Sequence, residues 1–143
     1  MKLIIIFLII LILTACDLIH TSVNISPNSI KYIYDGDTIT IKCLKDFKCD
    51  NDSLKVRIMG VDTPEIKGKC RSEIILARKA KQFTVNFVRT TSDIVLTYDK
   101  SNKYDRYGRL LAYISVDGKD LSESLIKNNL GRKYNGGKRS SWC

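Results

Sequence analysis

The sequence predicts a small α+β domain, mainly β, in which a five-stranded barrel carries two or three packed helices. Three observations support this prediction. Short runs rich in β-branched residues alternate with turn signals of the Asp-Gly type. One long amphipathic pattern falls between the third and the fourth of these runs. Residues 30–143 are enough for one hydrophobic core and not for two.

The first residues are predicted to be a targeting segment outside the fold. Lys2 precedes an apolar run, Leu3 to Leu13, and the following L-T-A-C resembles a bacterial lipoprotein cleavage box. The run is too short to cross a bilayer, which takes roughly 20 apolar residues. We therefore expect residues 1–15 to be a signal peptide and Cys16 to carry lipid. The chain would then be exported and anchored at a bacterial cell membrane, on its periplasmic or cell-surface face, with an uncleaved anchor as the alternative.

Residues 16–29 are mostly polar and are predicted to be a tether between the lipid and a domain at 30–143. The tether holds His20, the only histidine in the chain. A histidine-based nucleophile or a zinc-histidine cluster is therefore disfavoured. We expect the domain to be a monomer.

The charge balance predicts a polyanionic partner. The chain has 24 basic and 15 acidic residues, a formal net charge of +9, and loss of Lys2 with the signal peptide changes this by only one. A strongly basic domain suits nucleic acid or an anionic surface.

Four cysteines remain once Cys16 is assigned to lipid, and an oxidising compartment favours disulfides among them. Three pairings are possible. We prefer Cys43 with Cys49, which closes a short loop between two strands, and Cys70 with Cys143, which ties the chain end back beside the site described below. Each bond can stabilise the fold by roughly 2–4 kcal/mol. The cysteines form no C-x-x-C pair, which disfavours a metal cluster.

The first two predicted strands are Ile30–Tyr34 and Thr38–Lys42, joined by the turn Asp35-Gly36-Asp37. Asp-Gly between two alternating runs is typical of a tight turn in which Gly takes a positive φ. A turn of this type accounts for Asp35 and Gly36, but it gives no reason for a second carboxylate at Asp37. A second carboxylate in one turn repels the first unless a cation lies between them, so Asp37 is a candidate metal ligand.

The third strand runs from Val56 to Val61, and a polar cluster follows it. Gly60 permits a close backbone approach, and Pro64 ends the strand because the residue before a proline is held extended. Asp62, Thr63 and Glu65 are thereby presented together. Carboxylates at this spacing suit a hard cation.

A helix is predicted to begin with Ser72 as its cap and to extend to about Arg89. Its apolar stripe contains Leu76, Ala80, Phe83 and Phe87. Basic residues occupy the other faces, where they are solvated or add charge for a nucleic acid.

The last elements are a strand within Asp93–Asp99, a polar loop, a strand Leu110–Val116 and a helix S-L-I-K-N-N-L, capped near Asp120 and ended by Gly131. The predicted order is strand, strand, strand, helix, strand, strand, helix. Five short strands with a helix after the third suit a closed barrel of the oligonucleotide-binding type.

Three motifs give the chain a resemblance to a known family. They are D-G-D-T at Asp35–Thr38, R-I-M-G-V-D-T-P-E at Arg57–Glu65 and D-R-Y-G-R-L-L-A-Y at Asp105–Tyr113. In this order they resemble the thermonuclease (staphylococcal nuclease-like) family, over residues 30 to about 130. The resemblance implies a five-stranded oligonucleotide-binding barrel and a calcium-dependent phosphodiesterase that cuts DNA and RNA.

The same resemblance implies roles for single residues. Asp37 and Asp62 would ligate Ca2+ together with the Thr63 carbonyl oxygen, and Glu65 would be the general base for the attacking water. Arg57 and Arg109 would contact the phosphate, since guanidinium groups match phosphate oxygens.

Three further positions are carried over for substrate binding: Arg106, Tyr107 and Tyr134. Packing is an equal alternative for Tyr134, because the chain departs here from the family's long C-terminal helix. For the whole protein, the alternatives to a nuclease are a non-catalytic nucleic-acid-binding barrel and a protein whose positive charge binds anionic lipid.

Overall fold

The computed structural model describes residues 20–89 and 92–143. The predicted signal peptide and Cys16 lie outside the described residues. Nine strands are present within the described part of the chain: β1 His20–Ile25, β2 Ile30–Ile33, β3 Thr38–Lys42, β4 Ser53–Ile58, β5 Gly60–Asp62, β6 Ile94–Asp99, β7 Leu110–Val116, β8 Lys119–Asp120 and β9 Arg132–Tyr134. The helices there are α1 Arg71–Val88, α2 Leu121–Lys127 and a 3₁₀ turn at Pro27–Ser29. Neither α-helix is both long and apolar enough to span a membrane.

The strands form the predicted mainly β architecture. Their order in the main sheet is β1-β6-β7-β4-β3-β2, and β8 extends β7. All neighbours are antiparallel except β4 and β7, which are parallel. The two ends of this path, β1 and β2, are consecutive in the chain and joined only by residues 26–29. They therefore act as two halves of one long first strand. Counted in this way, the barrel has five strands, the number typical of the oligonucleotide-binding architecture.

The alternation of buried and exposed side chains along the strands shows which face of the sheet covers the core. Along β3, β6 and β7 every second side chain is buried, as pleated strands with one covered face require. The fully buried side chains include Ile39 and Ile41, which the alternation predicted. The larger core cluster also takes in α2 through Leu121 and Leu125.

The predicted tether is too long. Its last ten residues form β1 and the 3₁₀ turn, and all six residues of β1 pair with β6. Only Ile25 of β1 is buried, so the hydrophobic pattern of this strand is weak. His20 is an exposed residue at the start of β1, paired in register with Asp99. Folded structure thus begins no later than His20.

The third predicted strand is interrupted. β4 ends at Ile58, and β5 begins at Gly60, whose φ of 82° only Gly adopts readily. A Cβ atom at Gly60 would lie 3.1 Å from Ser122 Oγ and 3.2 Å from Tyr113 Cε1, which confirms the predicted close approach. After the break, β5 leaves the main sheet and pairs with β9.

Helix α1 turns a different face to the barrel than the apolar stripe suggested. The buried residues are Glu73, Ala77, Ala80, Thr84 and Val88, whereas Leu76, Phe83 and Phe87 are half-buried beside them. Small and polar side chains on this line let the helix approach the site closely. The N-cap is Cys70, without a side-chain cap hydrogen bond, and not Ser72.

Helix α2 is capped by Asp120 as predicted, with Asp120 Oδ1 accepting from Glu123 N at 2.9 Å, but it ends before Gly131. Asn129 takes the left-handed conformation after the helix, with φ of 57°. Gly131 has a different role, because a Cβ there would lie 2.4 Å from Val61 Cγ2. Its lack of a side chain lets the segment before β9 pack against β5.

Replacing Gly131 with Ala should therefore lower the free energy of unfolding by about 1–3 kcal/mol, the usual effect of overpacking. Chemical denaturation measures it. Val61→Ala removes the clashing methyl group, so the double variant should be less destabilised than the sum of the two single changes. Strictly additive effects would contradict this role of Gly131.

The two preferred disulfides are both present, Cys43–Cys49 between β3 and β4 and Cys70–Cys143 between α1 and the chain end. Glu73 lies beside the second bond, so Cys70, Glu73 and Cys143 offer atoms within 4.8 Å of one another. Because the sulfur atoms are bonded to each other, they are not thiolate ligands.

Candidate active site

The turn between β2 and β3 is fixed by helix α1. Thr84 Oγ1 donates a hydrogen bond to the Gly36 carbonyl oxygen at 2.7 Å. A Cβ at Gly36 would lie 2.8 Å from Thr63 Cγ2 and 2.9 Å from Ala80 Cβ. Gly36 does not take the positive φ that the turn pattern predicted. Glycine is needed here because Thr63, which follows β5, and Ala80 of α1 both pack against the backbone.

Asp37 is brought against Thr63 by this close packing, although the two are 26 residues apart in sequence. Its Oδ2 accepts from Thr63 N at 2.9 Å and from Thr63 Oγ1 at 3.0 Å. Its Oδ1 accepts from Thr38 Oγ1 at 3.0 Å. Asp37 is buried and has the Arg57 guanidinium 3.4 Å from Oδ2. The carboxylate is thereby held in one orientation.

Arg57 is itself buried on β4, with its guanidinium held at several points. It donates to the carbonyl oxygens of Ile58 and Val61, the second at 2.9 Å. Ile58 and Val61 lie on either side of the break between β4 and β5. Their carbonyl oxygens both point toward the guanidinium. Arg57 nevertheless lines the large groove described below.

Asp62 is buried at the end of β5, and its two oxygens have different partners. Oδ2 accepts from Trp142 Nε1 at 3.2 Å. Oδ1 lies 3.1 Å from Arg139 Nε but out of line for a hydrogen bond, so this buried oxygen has an ionic neighbour and no hydrogen-bond donor. Burial raises the pKa of Asp62, and the Arg139 charge opposes that rise.

Glu65 is half-exposed, and its Oε1 accepts from Arg139 Nη1 at 2.6 Å. Its loop is tied down by Glu73 of α1, which accepts from Lys69 N at 2.7 Å and from Glu65 N at 3.4 Å. Gly68 leaves room for Glu73, since a Cβ would lie 2.6 Å from Glu73 Cγ. The first turn of α1 thus positions the Glu65 backbone.

Asp35 adds a fourth acid, beside Asp37, Asp62 and Glu65, to this end of the barrel. Burial, followed by the charges of Asp37 and Glu65, raises the pKa of Asp35 to about 7. Its Oδ1 accepts from Asp37 N at 3.1 Å. Asp35, Asp37 and Glu65 line one pocket, and carboxylate oxygens of this kind suit a hard cation.

Arg109 is oriented by Asp105, four residues before it. Its Nε lies 2.7 Å from Asp105 Oδ2, and its backbone N donates to Oδ1 at 2.9 Å. The Tyr107 ring, exposed between them, has the guanidinium carbons of Arg106 and Arg109 at 4.8 and 5.4 Å from its centroid. This loop therefore presents two cations and one aromatic face.

A groove of about 1260 Å³ brings most of the predicted site residues together. It is lined by Arg57, Glu65, Arg106, Tyr107, Arg109 and Tyr134 among others. An adjoining pocket of about 340 Å³ shares Glu65 and Arg109 with the groove and adds Asp35 and Asp37. Asp62 and Thr63 line neither cavity. Tyr134 donates its hydroxyl to the Gly137 carbonyl oxygen at 2.8 Å, so it packs locally as well as facing the groove.

Sequence reasoning missed Arg139 and Trp142, although it placed the end of the chain near the site through the Cys70–Cys143 bond. Arg139 contacts both Asp62 and Glu65, and it lines both cavities. Trp142 reaches Asp62, and the Arg132 guanidinium lies 3.8 Å above its indole ring. The one available signal was the preferred Cys70–Cys143 bond, because it places the end of the chain beside the loop that carries Glu65.

The sequence profile of the family described as "Staphylococcal nuclease homologue" matches residues 55–141. Endonuclease YncB of Bacillus subtilis (strain 168) is 39% identical over 98 residues, which cover 68% of this chain and 43% of that protein. The SPbeta prophage-derived endonuclease YokF of the same strain is 36% identical, over 68% of this chain and 31% of YokF. Thermonuclease of Staphylococcus hyicus is 38% identical over 100 residues, which cover 70% of this chain and 54% of that protein. The chain thus spans about a third to a half of the length of these relatives.

Proposed function

Because the chain belongs to the staphylococcal nuclease homologue family, we propose that it is a nuclease that hydrolyses phosphodiester bonds of DNA and RNA. One observation carries the proposal: a carboxylate, Glu65, and two arginines, Arg57 and Arg109, line the same groove. A base for water and cations for phosphate oxygens are the groups that phosphodiester hydrolysis requires. The names of the relatives support the same reaction.

In the proposed reaction, a phosphodiester lies across the groove with its non-bridging oxygens toward Arg57 and Arg109. Glu65 takes a proton from a water molecule, whose oxygen forms a bond to phosphorus. The bond from phosphorus to the leaving oxygen breaks, and that oxygen receives a proton from solvent. The guanidinium groups stabilise the charge on the phosphate oxygens, which is greatest in the transition state.

Calcium is the proposed cofactor, and Asp37, Asp62 and the Thr63 carbonyl oxygen would hold it. The residues fit such an ion, because Asp62 Oδ1 is buried without a hydrogen-bond donor and Asp35, Asp37 and Glu65 line one pocket. All three residues would supply oxygen ligands, which Ca2+ prefers. When bound, the ion would supply positive charge that polarises the phosphate.

Arg139 is expected to oppose calcium binding, because its guanidinium already forms ion pairs with Asp62 and Glu65. Replacing Arg139 with Gln should raise calcium affinity about two- to fivefold, the range expected for partly exposed ion pairs. Titration calorimetry without nucleic acid measures this directly. Trp142, the only tryptophan, gives a second readout through its contact with Asp62.

The matched control for this prediction is Arg132→Gln. It removes the same charge from the same region, but Arg132 contacts Trp142 and the Ser141 carbonyl oxygen and not the two carboxylates. Arg132→Gln should leave calcium affinity near that of the unaltered protein. Equal affinities in all three proteins would contradict the opposing role of Arg139.

The direct test of the function is release of acid-soluble nucleotides from single- and double-stranded DNA and RNA by the purified protein with calcium. Release is the expected result. Binding of the same polymers without release would favour the alternative function, a non-catalytic nucleic-acid-binding barrel.

Export and anchoring through a lipid on Cys16, with the domain acting as a monomer, complete the proposal. The support is the sequence of residues 1–16 and two disulfides, which persist in oxidising compartments. The intact mass of the protein recovered from membranes tests it. A mass that includes residues 1–15 would contradict cleavage before Cys16.

A further inference from the structure

Four of the five exposed large hydrophobic side chains in the described part of the chain are tyrosines, and all four lie at the cavities of the candidate site. Tyr107 and Tyr113 line the groove. Tyr32 and Tyr34, exposed at 54% and 39%, line the adjoining pocket on the other side of Glu65 and Arg109. Nothing in the proposed reaction uses this second pair.

Strand register places the second pair of tyrosines in line with the site. Tyr32 is opposite Thr40 on β3, and Thr40 is opposite Lys55 on β4. Residues directly opposite one another point to the same face of a sheet. Tyr32, Thr40 and Lys55 therefore form one row across three strands, on the face away from the core.

A second row lies two residues along the same strands. Tyr34 N donates to the Thr38 carbonyl oxygen, and Thr38 is opposite Arg57. Since side chains two residues apart share a face, this row is on the same surface as the first. The outer face of β2, β3 and β4 thus runs from the proposed phosphate contact at Arg57 to the exposed Tyr32 ring without interruption.

The tyrosines have cationic neighbours as well as the carboxylates of the adjoining pocket. Lys55 is exposed and lines both cavities, and Lys81 Nζ lies 5.0 Å from the centroid of the Tyr32 ring. Beyond Tyr32 a third hollow of about 940 Å³ is lined by Lys31, Lys81 and Arg89 and by no acidic residue. Lys31 is already engaged with the Asp52 carbonyl oxygen and Ser53 Oγ. Lys55, which is exposed, and Lys81, which is half-exposed beside Tyr32, are the cations nearest the two rows.

We propose that this surface, formed by Tyr32, Tyr34, Lys55 and Lys81, binds the part of a single-stranded nucleic acid that extends from the scissile phosphate away from Tyr107. Two bases stack on the two tyrosine rings, and the lysines contact the adjoining phosphates. The proposal rests on the proposed function, because Arg57 fixes where the strand enters the surface. It concerns binding of the strand and adds no chemical step.

Spacing and chemistry favour this ligand. Cα atoms two residues apart on a strand are separated by about 6.6–6.8 Å, roughly twice the 3.4 Å spacing of stacked bases. A strand with its bases spread apart can therefore place one base on each ring. Surfaces that bind single strands combine stacking aromatic rings with a positively charged path for the backbone. An anionic membrane would use the lysines but not the row of rings that continues into the groove.

The test compares binding of a fluorescein-labelled 12-nucleotide single-stranded DNA with that of a labelled dinucleotide, by anisotropy with chelator present so that no cleavage occurs. The variant is Tyr32→Ala combined with Tyr34→Ala. We expect its loss of affinity for the 12-mer to be at least tenfold greater than its loss for the dinucleotide, since each stacked base accounts for about five- to hundredfold. Tyr32→Phe combined with Tyr34→Phe retains both rings and should restore 12-mer binding.

Ile75→Ala is the control for removing an exposed apolar side chain outside the surface, and it should bind both ligands like the unaltered protein. Thermal unfolding checks that every variant is folded. Equal losses for the two ligands, or unchanged 12-mer affinity in the double-alanine variant, would overturn the proposal. The proposal would also be overturned if the double-alanine variant bound phosphatidylserine vesicles less tightly than the unaltered protein but bound the 12-mer equally well.

The two proposals fail separately. If the unaltered protein cleaves nothing but its 12-mer affinity depends on the tyrosine rings, the proposed function is wrong and the surface stands. If the protein cleaves nucleic acid and the double-alanine variant binds the 12-mer normally, the surface is wrong and the function stands.

Discussion

Replacing Glu65 with Gln is expected to slow phosphodiester hydrolysis by about 10²- to 10⁴-fold, the range over which general bases contribute. Gln has nearly the same shape as Glu but cannot take the proton from water. The side chain is half-exposed and its one side-chain contact given by the structure is with Arg139, so the fold should tolerate the change. Initial rates of nucleotide release at saturating substrate measure the effect on kcat.

The matched control is Glu123→Gln, the same chemical change at an exposed position in the first turn of α2. It should leave the rate unchanged. Affinity for single-stranded DNA in the presence of chelator should be similar in both variants, because Glu65 is not assigned to substrate binding. A Glu65→Gln protein that cleaves within threefold of the normal rate would remove Glu65 from its role as the base.

Replacing Arg57 with Lys is expected to lower kcat by about 10²- to 10³-fold, as does loss of one preorganised donor to a developing charge. Lysine keeps the positive charge beside Asp37 but lacks the planar fork that contacts two carbonyl oxygens and the phosphate at once. Removing the charge altogether, as in Arg57→Gln, would leave Asp37 buried without its ionic partner and destabilise the fold by about 3–5 kcal/mol.

Two lysine variants serve as comparisons. Arg78→Lys on the exposed side of α1 should behave like the unaltered protein. Arg109→Lys should lower kcat as well, with less effect on stability, because Arg109 is more exposed than Arg57 and pairs with Asp105 only. If Arg57→Lys folds and retains normal kcat, Arg57 has a structural role alone.

Local patterns predicted β2, β3, β4, β6 and β7 and the position of α1, but not β1. They failed where the decisive contacts are long-range. β1 has a single buried residue, and its six pairs with β6 join segments more than 65 residues apart. β9 is a three-residue strand whose pairing depends on the positive φ of Gly60. Neither feature leaves a periodic signal in its own segment.

The buried face of α1 was misread for a physical reason. Hydrophobicity pointed to Leu76 and the two phenylalanines, but the closest approach to the turn at Gly36 requires small residues. Ala80 packs there, and Thr84 supplies a hydrogen bond. A helix that supports a polar site can bury polar side chains, and a hydrophobic stripe does not reveal them.

Part of the candidate site was predicted from the sequence. The motifs identified Asp37, Arg57 and Glu65, and the structure brings them to one end of the barrel. Arg139 was missed because it lies 74 residues after Glu65 and no motif includes it. Its position depends on the Cys70–Cys143 bond and on Trp142. Such contacts form only when distant parts of the folded chain meet, so no local stretch of sequence predicts them.

The measurement that tests the central proposal most directly is withdrawal and return of calcium in one cleavage reaction. The protein, which must include β1, is incubated with single-stranded DNA in calcium, then with excess chelator, then with calcium restored. We predict that release of acid-soluble nucleotides stops on chelation and resumes on restoration. Cleavage that continues unchanged in chelator would contradict the metal site, and binding without release at every stage would contradict catalysis.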